Sequence, residues 1–351
     1  MMTGVVKRVA RFNFWLNPAF DERLARDGDI AVDVMDTKGT AEAAWAVLER
    51  AHVYVVNAAR QELLEQFRPM EAMLARCPQL LVASSAGAGY DTIDVDACTR
   101  AGVAVVNQAG GNAVSVAEMT IGLLLAVSRR IVLSHRRLQT ERGFPREDLM
   151  GHEISGRTIG LVGIGHIGTR VAAMAKAFSM RVLACDPYLT PEEISRRGAE
   201  PVDFATLLAQ SDVVSVHCPR DASTYHLFNA ASFGAMRPGA LFLNTARGGI
   251  HDEAALDAAL ESGHLGGAGL DVWDPEPPPL DHPLLHRNNV VATFHTAGVT
   301  HEARRNIAAI NAEQIVGLFR GVRPPRLINP EVWPAFRERY RKVLGELPAG
   351  W

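Results

Sequence analysis

A two-domain α/β protein built on parallel sheets is what this sequence predicts, and three observations lead there. The chain runs to 351 residues, more than one ordinary hydrophobic core takes in, with 48% apolar residues to fill its interior. Short β-rich runs alternate with helical stretches, the pattern of βα units. In the second half the strand-like runs end in polar residues, namely Asp186, His217, Asn244, Asp271 and His295. Ligands of open α/β sheets gather at the carboxyl ends of the strands, so these residues point to one crevice.

The elements follow in order. HVYVVN from His52, LLVASS from Leu80 and VAVVNQ from Val103 read as strands of the first unit, with TAEAAWAVLERA and VDACTRAG as helices between them. An apolar-rich helix is expected from about Val114 to Arg130, mostly buried through Val116, Met119, Ile121, Leu123 and Leu124. The polar stretch Ser134–Arg157 breaks the pattern. From Thr158 the runs TIGLV, RVLACD, DVVSVHCP, ALFLNTA, GAGLDVW and NVVATFH read as strands of a second unit. A long helix from His301 to Phe319 leads to RPPRLINP, and no further regulatory domain is expected in the short remainder.

Composition narrows the function classes. The net charge is −3 and the basic residues are scattered, so pairs such as Arg196-Arg197 and Arg304-Arg305 read as solvated helix faces and no nucleic-acid partner is expected. Cys77, Cys98, Cys185 and Cys218 form no CxxC pair, so reduced structural thiols are expected, with neither a disulfide framework nor a metal site. The N-terminus lacks the long apolar stretch of a signal peptide, and the run IGLLLAV is too short to cross a bilayer. A cytoplasmic protein with no membrane partner is expected.

The chemistry begins at Gly163-Ile-Gly165-His166-Ile167-Gly168, a GxGxxG fingerprint. Gly163 permits a tight strand-to-helix turn, Gly165 lets backbone approach a pyrophosphate, and Gly168 lets helix pack closely on strand. The fingerprint follows TIGLV and opens a helix; eighteen positions beyond Gly168 stands Asp186, an acid that can accept both ribose hydroxyls and repel a 2′-phosphate. NAD rather than NADP is the expected cofactor, with Arg196 or Arg197 as cations that would soften the preference. Three further side chains then arrive in order. Arg247, in NTARGG, offers a planar, permanent cation for a substrate carboxylate. His295, ending NVVATFH, offers an imidazole that can give or take a proton near neutrality. Glu276, in DVWDPEP, would hydrogen-bond the far nitrogen of that imidazole and fix its tautomer.

In order and spacing these motifs resemble the NAD-dependent D-isomer-specific 2-hydroxyacid dehydrogenases, of the phosphoglycerate dehydrogenase and hydroxypyruvate–glyoxylate reductase type. The resemblance implies a Rossmann NAD-binding domain over residues 111–298, inserted in a flavodoxin-like substrate domain made of residues 1–110 and 299–351. It implies hydride transfer between NAD(H) and a 2-oxo or D-2-hydroxy acid, with Arg247, Glu276 and His295 catalytic. His166, Ile167 and His217 join the three fingerprint glycines and Asp186 at the cofactor, and Asp271 aligns with the residue that binds the nicotinamide amide. SAGAGYDTID from Ser85 resembles the substrate loop, so Ser85, Ala88 and Gly89 would join Arg247 and His295 on the substrate; its glycines would permit the positive φ and close approach of an anion nest. Family members pair as homodimers through the NAD domain, with Ser134–Arg157 as the arm. The chain departs from the pattern at Phe294, where the family has proline, and at Ser85, where it often has a basic residue. Glu276 stands where formate dehydrogenases carry glutamine, which argues against formate. A phosphite- or formate-type dehydrogenase and an NAD-dependent corepressor-like binding protein are the alternatives.

Overall fold

The structure is a computed structural model and describes residues 5–58, 63–345, 347–348 and 350–351. The chain forms two compact units, one of Met1–Asn112 with His301–Trp351, the other of Ala113–Thr300. The second is thus inserted within the chain of the first. Among the described residues no helix is long and apolar enough to cross a membrane.

In the first unit the strands are β1 (Lys7–Phe12), β2 (Ile30–Met35), β3 (Val53–Val56), β4 (Val82–Ser85) and β5 (Ala104–Val106). They form one five-stranded sheet in the order β2-β1-β3-β4-β5, and every pairing is parallel. This is the flavodoxin-like order. VYVV of β3 and VASS of β4 are buried throughout, as strands covered on both faces must be. One apolar cluster around Tyr54, Leu80 and Val105 covers one face; another, around Val53, Leu81 and the helix His301–Phe319, covers the other.

β1 and β2 were not foreseen. KRVARF and IAVDVM carry charges that interrupt any apolar run, because β2 lies at the sheet edge and stays partly exposed. Those charges are paired, Arg8 with Asp33 at 3.0 Å and Lys7 with Asp29 at 2.8 Å.

The second unit holds β6 (Thr158–Val162), β7 (Arg181–Cys185), β8 (Glu200–Pro201), β9 (Val213–Val216), β10 (Ala240–Asn244), β11 (Leu265–Leu270) and β12 (Val290–Ala292). Their order is β12-β11-β10-β9-β6-β7-β8, again parallel, which is the doubly wound Rossmann order with one strand added. All the runs read as strands from the sequence are present, and the two-residue β8 is additional. Between β6 and β9 the order of strands reverses. That switch point opens the crevice where such sheets bind ligands.

The helix Ala113–Ser128 is buried through Val116, Ile121, Leu123 and Leu124, as its apolar face requires. The polar stretch beyond it is more regular than expected. It contains the helix Ile131–Thr140, none of whose residues is buried, and a 3-10 turn at Arg146–Leu149.

Candidate active site

The glycine turn sits at the switch point of the second sheet. Gly163 follows β6 with φ of +92°, and a Cβ there would stand 2.9 Å from Cys218 N and from His217 C. Glycine is therefore required both by the left-handed backbone and by the approach of the β9 end. A Cβ on Gly168 would come within 2.4 Å of Gly163 O, so the helix His166–Ala177 packs directly on the turn. Gly165, its N-cap, faces open space, which is what a ligand phosphate at a helix N-terminus needs. His166 and Ile167 occupy its first turn. These residues fit a dinucleotide.

Asp186 lies half-buried just beyond β7. Its Oδ2 accepts from Ile164 N at 3.1 Å and its Oδ1 from Tyr188 N at 3.1 Å, which leaves each oxygen room for a further donor. Arg197 reaches the same turn, with Nη1 donating to Ile164 O at 2.8 Å. His217, beyond β9, bonds Ser215 Oγ through Nε2 at 2.9 Å while its Nδ1 is buried with no partner. Burial pushes its imidazole down to about 4, so it stays neutral.

Arg247 stands in a loop that Asn244 organises. Asn244 is fully buried at the end of β10; its Oδ1 accepts from Ala246 N at 2.9 Å and its Nδ2 donates to Arg247 O at 2.9 Å. The same Nδ2 lies 3.0 Å from His251 Nδ1. Arg247 Nη1 donates to Ala246 O at 2.7 Å. The next residue, Gly248, is pressed so closely on the DVWDPEP loop that a Cβ would lie 1.9 Å from Trp273 O. Arg220 ties the two loops again, donating to Gly248 O and to Asp274 Oδ2, both at 3.2 Å. Glu253, paired with His282 at 2.8 Å, accepts from Asp274 N at 2.9 Å. The loops that carry Arg247 and Glu276 are thus one packed assembly.

His295 Nδ1 lies 2.8 Å from Glu276 Oε1, the contact expected of the pair. Its backbone has φ of +48°, unusual for a residue with a side chain. Asp271 imposes it. Its carbonyl accepts from His295 N at 2.6 Å, its Oδ1 from Thr293 Oγ1 at 2.6 Å and Thr296 N at 2.9 Å, and its Oδ2 from Ala297 N at 2.9 Å. Asp271 is fully buried, and these bonds hold the histidine turn. Phe294 is 52% exposed and takes no part in fixing the turn, so proline is not needed there.

In the first unit the loop after β4 is braced by its own hydrogen bonds. Ser85 is fully buried, with Oγ donating to Gly89 O and accepting from Gly87 N at 3.3 Å. The hydroxyl braces the loop. Asn107 Nδ2 donates to Ala88 O at 2.7 Å and Gln108 Nε2 to Ser85 O at 3.0 Å. Gly87 keeps an ordinary φ and is needed for its approach to Ala58 Cβ, at 3.1 Å from an added Cβ. The N–H groups of Ala88 and Gly89, half-exposed, carry no partner among the described residues.

Sequence reasoning missed Asn244 as an organiser, together with Thr293, Glu253, His282 and Arg220. Asn244 was visible as a polar strand end. The others carry no local signal, because their partners are distant in sequence. Burial pushes the thiols of Cys77 and Cys218 up, to about 11 and about 12, and all four cysteines are free. Among the described residues no group of three or more His, Cys, Asp or Glu is placed to hold a metal ion.

Comparison with known proteins agrees with this geometry. Residues 121–297 match the NAD-binding domain of the D-isomer specific 2-hydroxyacid dehydrogenases. The chain is 40% identical over 289 residues to a D-3-phosphoglycerate dehydrogenase of Archaeoglobus fulgidus, covering 79% of this chain and 55% of that one. The chain thus spans little more than half the length of that relative. It is 42% identical over 244 residues to an (S)-sulfolactate dehydrogenase of Chromohalobacter salexigens, covering 69% of this chain and 79% of that one. It superposes on a glyoxylate reductase from Paecilomyes thermophila with a TM-score of 0.80 at 26% identity, covering 93% and 99% of the two chains. The chain belongs to the D-isomer specific 2-hydroxyacid dehydrogenases.

Proposed function

We propose that the chain reduces a small 2-oxo acid of the glyoxylate, hydroxypyruvate or phosphohydroxypyruvate class to its D-2-hydroxy acid, and that Arg247, Glu276 and His295 carry the reaction. The observation that supports this best is the 2.8 Å contact between His295 Nδ1 and Glu276 Oε1 on a turn held by Asp271. An ionised carboxylate only accepts, so Nδ1 carries a hydrogen in both protonation states. Nε2 is then the nitrogen that changes. As imidazolium it donates a proton to the C2 oxygen of a 2-oxo acid; as neutral imidazole it takes that proton back in the reverse direction. Glu276 stabilises the charged form and keeps the tautomer.

Arg247 supplies the fixed cation. Its guanidinium would pair with the substrate carboxylate through two hydrogen bonds and draw negative charge onto the neighbouring oxygen. Ala88 and Gly89, whose N–H groups have no partner among the described residues, are candidates for binding substrate, as the resemblance implies. Bound NADH supplies the hydride that C2 receives. Gly163, Gly165, His166, Ile167 and Gly168 would hold its pyrophosphate, with His217 beside the turn and Asp186 on the adenosine ribose. Asp186 favours NAD over NADP, and Arg197 on the same turn tempers the preference.

A homodimer through the NAD unit is part of the proposal. The helix Ile131–Thr140 buries none of its residues, and Ile131, Leu138 and Met150 are exposed, an apolar surface suited to a second copy of the chain. Four free cysteines suit a reducing, cytoplasmic setting.

The test is NADH oxidation with glyoxylate, hydroxypyruvate, phosphohydroxypyruvate, pyruvate, sulfopyruvate and branched 2-oxo acids, with NADPH in parallel. Efficient turnover of one of the first three supports the proposal. Silence on every 2-oxo acid with NADH still bound would overturn it, in favour of phosphite oxidation or a cofactor-sensing binding role.

A further inference from the structure

The first unit carries a second cavity, at the edge of its sheet opposite the Ser85–Gly89 loop. Its walls are the entries to β1, β3 and β4 and the helix Trp333–Leu344, and its volume is about 490 Å³. Arg8, Arg50, His52, Arg339 and Lys342 line it, and among the described residues no carboxylate does. Such a volume is typical of a small-molecule site.

The charge balance there is one-sided. Arg8 is offset by Asp33 behind it, at 3.0 Å. Arg50 donates from Nε to Ala46 O at 2.8 Å, and no acid pairs with it. Arg339 spends its guanidinium on carbonyls, with Nε to Leu80 O at 2.7 Å, Nη1 to Ala101 O at 3.0 Å and Nη2 to Pro78 O at 2.8 Å. Dipoles hold that charge in place without neutralising it, and burial lowers the Arg339 pKa accordingly. Lys342 is exposed at the rim and adds a further cation.

His52 is the independent sign of a ligand. It is 4% exposed, and its Nδ1 accepts from Arg8 N at 2.9 Å. The proton therefore sits on Nε2, which has no hydrogen-bond partner among the described residues, and the ring lines the cavity. That N–H is open to the cavity and is free to donate to an oxygen of a bound anion beside the guanidinium groups.

We propose that this cavity is a binding site for a small polyanion, of the phosphate-ester or polycarboxylate class, held by Arg50, Arg339, Lys342 and the Nε2–H of His52. Guanidinium forks match phosphate and carboxylate oxygens, and the volume takes a whole small molecule rather than a bare ion. The site joins the strand entries to the C-terminal helix. Occupancy stabilises the first unit by mass action.

The experiment is calorimetric titration of the full chain, saturated with NADH to cover the dinucleotide site, with pyrophosphate in one arm and citrate in the other. Sodium chloride at matched ionic strength is the control. The expected result is one saturable equivalent with at least one of the two anions. Affinity should fall at least tenfold in Arg50→Ala/Lys342→Ala, whose side chains are exposed enough to leave the fold intact, and persist in Arg247→Ala. Turnover of the double variant should equal wild type without added anion. No heat beyond the salt control, equal affinity in the double variant, or loss of binding in Arg247→Ala would each overturn the proposal. A phosphate-ester site answers to pyrophosphate, a polycarboxylate site to citrate.

Discussion

Asp271 holds His295 in a left-handed backbone conformation: the Asp271 carbonyl takes the His295 N–H at 2.6 Å, and its carboxylate takes the two amides that follow. A positive φ on a residue with a side chain costs on the order of 1–3 kcal/mol and persists where its surroundings over-determine it. Here charge-assisted hydrogen bonds of about 1.5–3 kcal/mol each more than offset that cost. The turn is rigid before any substrate arrives, and it presents the ring to Glu276. Preorganisation of this kind is what a proton-transfer group needs.

Asp271→Asn tests that relationship. Asparagine is isosteric, but its amide offers one acceptor oxygen where the carboxylate offers two, so either the Thr296 or the Ala297 N–H is left unpaired. Turnover is expected to fall about ten- to a hundredfold with NADH affinity little changed, for an unmet hydrogen bond in a buried turn. Steady-state kinetics beside NADH titration separates the two. A matching loss of NADH affinity would instead point to the direct cofactor contact that the family resemblance implies.

Glu276→Gln separates charge from shape. Glutamine can keep a hydrogen bond to Nδ1 but neither stabilises imidazolium nor enforces the tautomer. A kcat loss of about one to three orders of magnitude is expected, with the high-pH fall of 2-oxo acid reduction moved to lower pH. An unchanged pH–rate profile would show that Glu276 does not act on His295.

Gly248→Ala probes the packing of the two active-site loops. An added methyl would lie 1.9 Å from Trp273 O, a backbone atom that cannot step aside. Activity and melting temperature should fall together, with a destabilisation of about 1–3 kcal/mol typical of overpacking. Thermal melts and kcat/KM on the same preparation provide the check; wild-type values for both would mean that the loops are not in contact.

Acid should destabilise the second unit through its buried histidines. Burial pushes His217 and His251 down to about 4, whereas the unfolded chain titrates near 6.5. A depressed histidine keeps its full contribution above the unfolded pKa and loses it as pH falls toward the folded one. The window is therefore about pH 6.5 down to 4, and His251 alone accounts for up to about 3 kcal/mol across it. Carboxylates such as Asp203, lowered by the Thr206 N–H, act at lower pH still. Melting temperatures measured from pH 8 to 4.5 should drop below pH 6.5, and His251→Phe should flatten the curve.

Asp186→Ala should narrow the preference for NADH over NADPH, read as the ratio of kcat/KM. Arg197 on the same turn then becomes available to a 2′-phosphate. A ratio that stays fixed would remove Asp186 from the ribose.

Much of this was legible in the sequence because its signals are local. The Rossmann strands are continuous apolar runs closed by polar residues, and GxGxxG marks a turn whose glycines meet steric demands within a few residues. Arg247, Glu276 and His295 each stand at a strand end or in a distinctive loop. What stayed hidden depends on distant partners. β1 and β2 carry charges that make sense only once Asp29 and Asp33 lie beside Lys7 and Arg8. The hydrogen bonds by which Asp271 holds the histidine turn and Ser85 braces its loop were likewise hidden, because they close only in the fold. The cationic cavity draws Arg50, His52 and Arg339 from remote parts of the chain, so no motif announces it.

The central claim is that His295 moves the proton and does not hold the cofactor. NADH oxidation by wild type and His295→Asn, on whichever acid the wild type reduces best, tests it directly when paired with NADH binding by fluorescence. The account expects kcat to fall about a hundred- to ten-thousandfold, the range for losing a general acid, with the NADH Kd unchanged within about twofold. Turnover retained by the variant, or lost together with NADH binding, would contradict it.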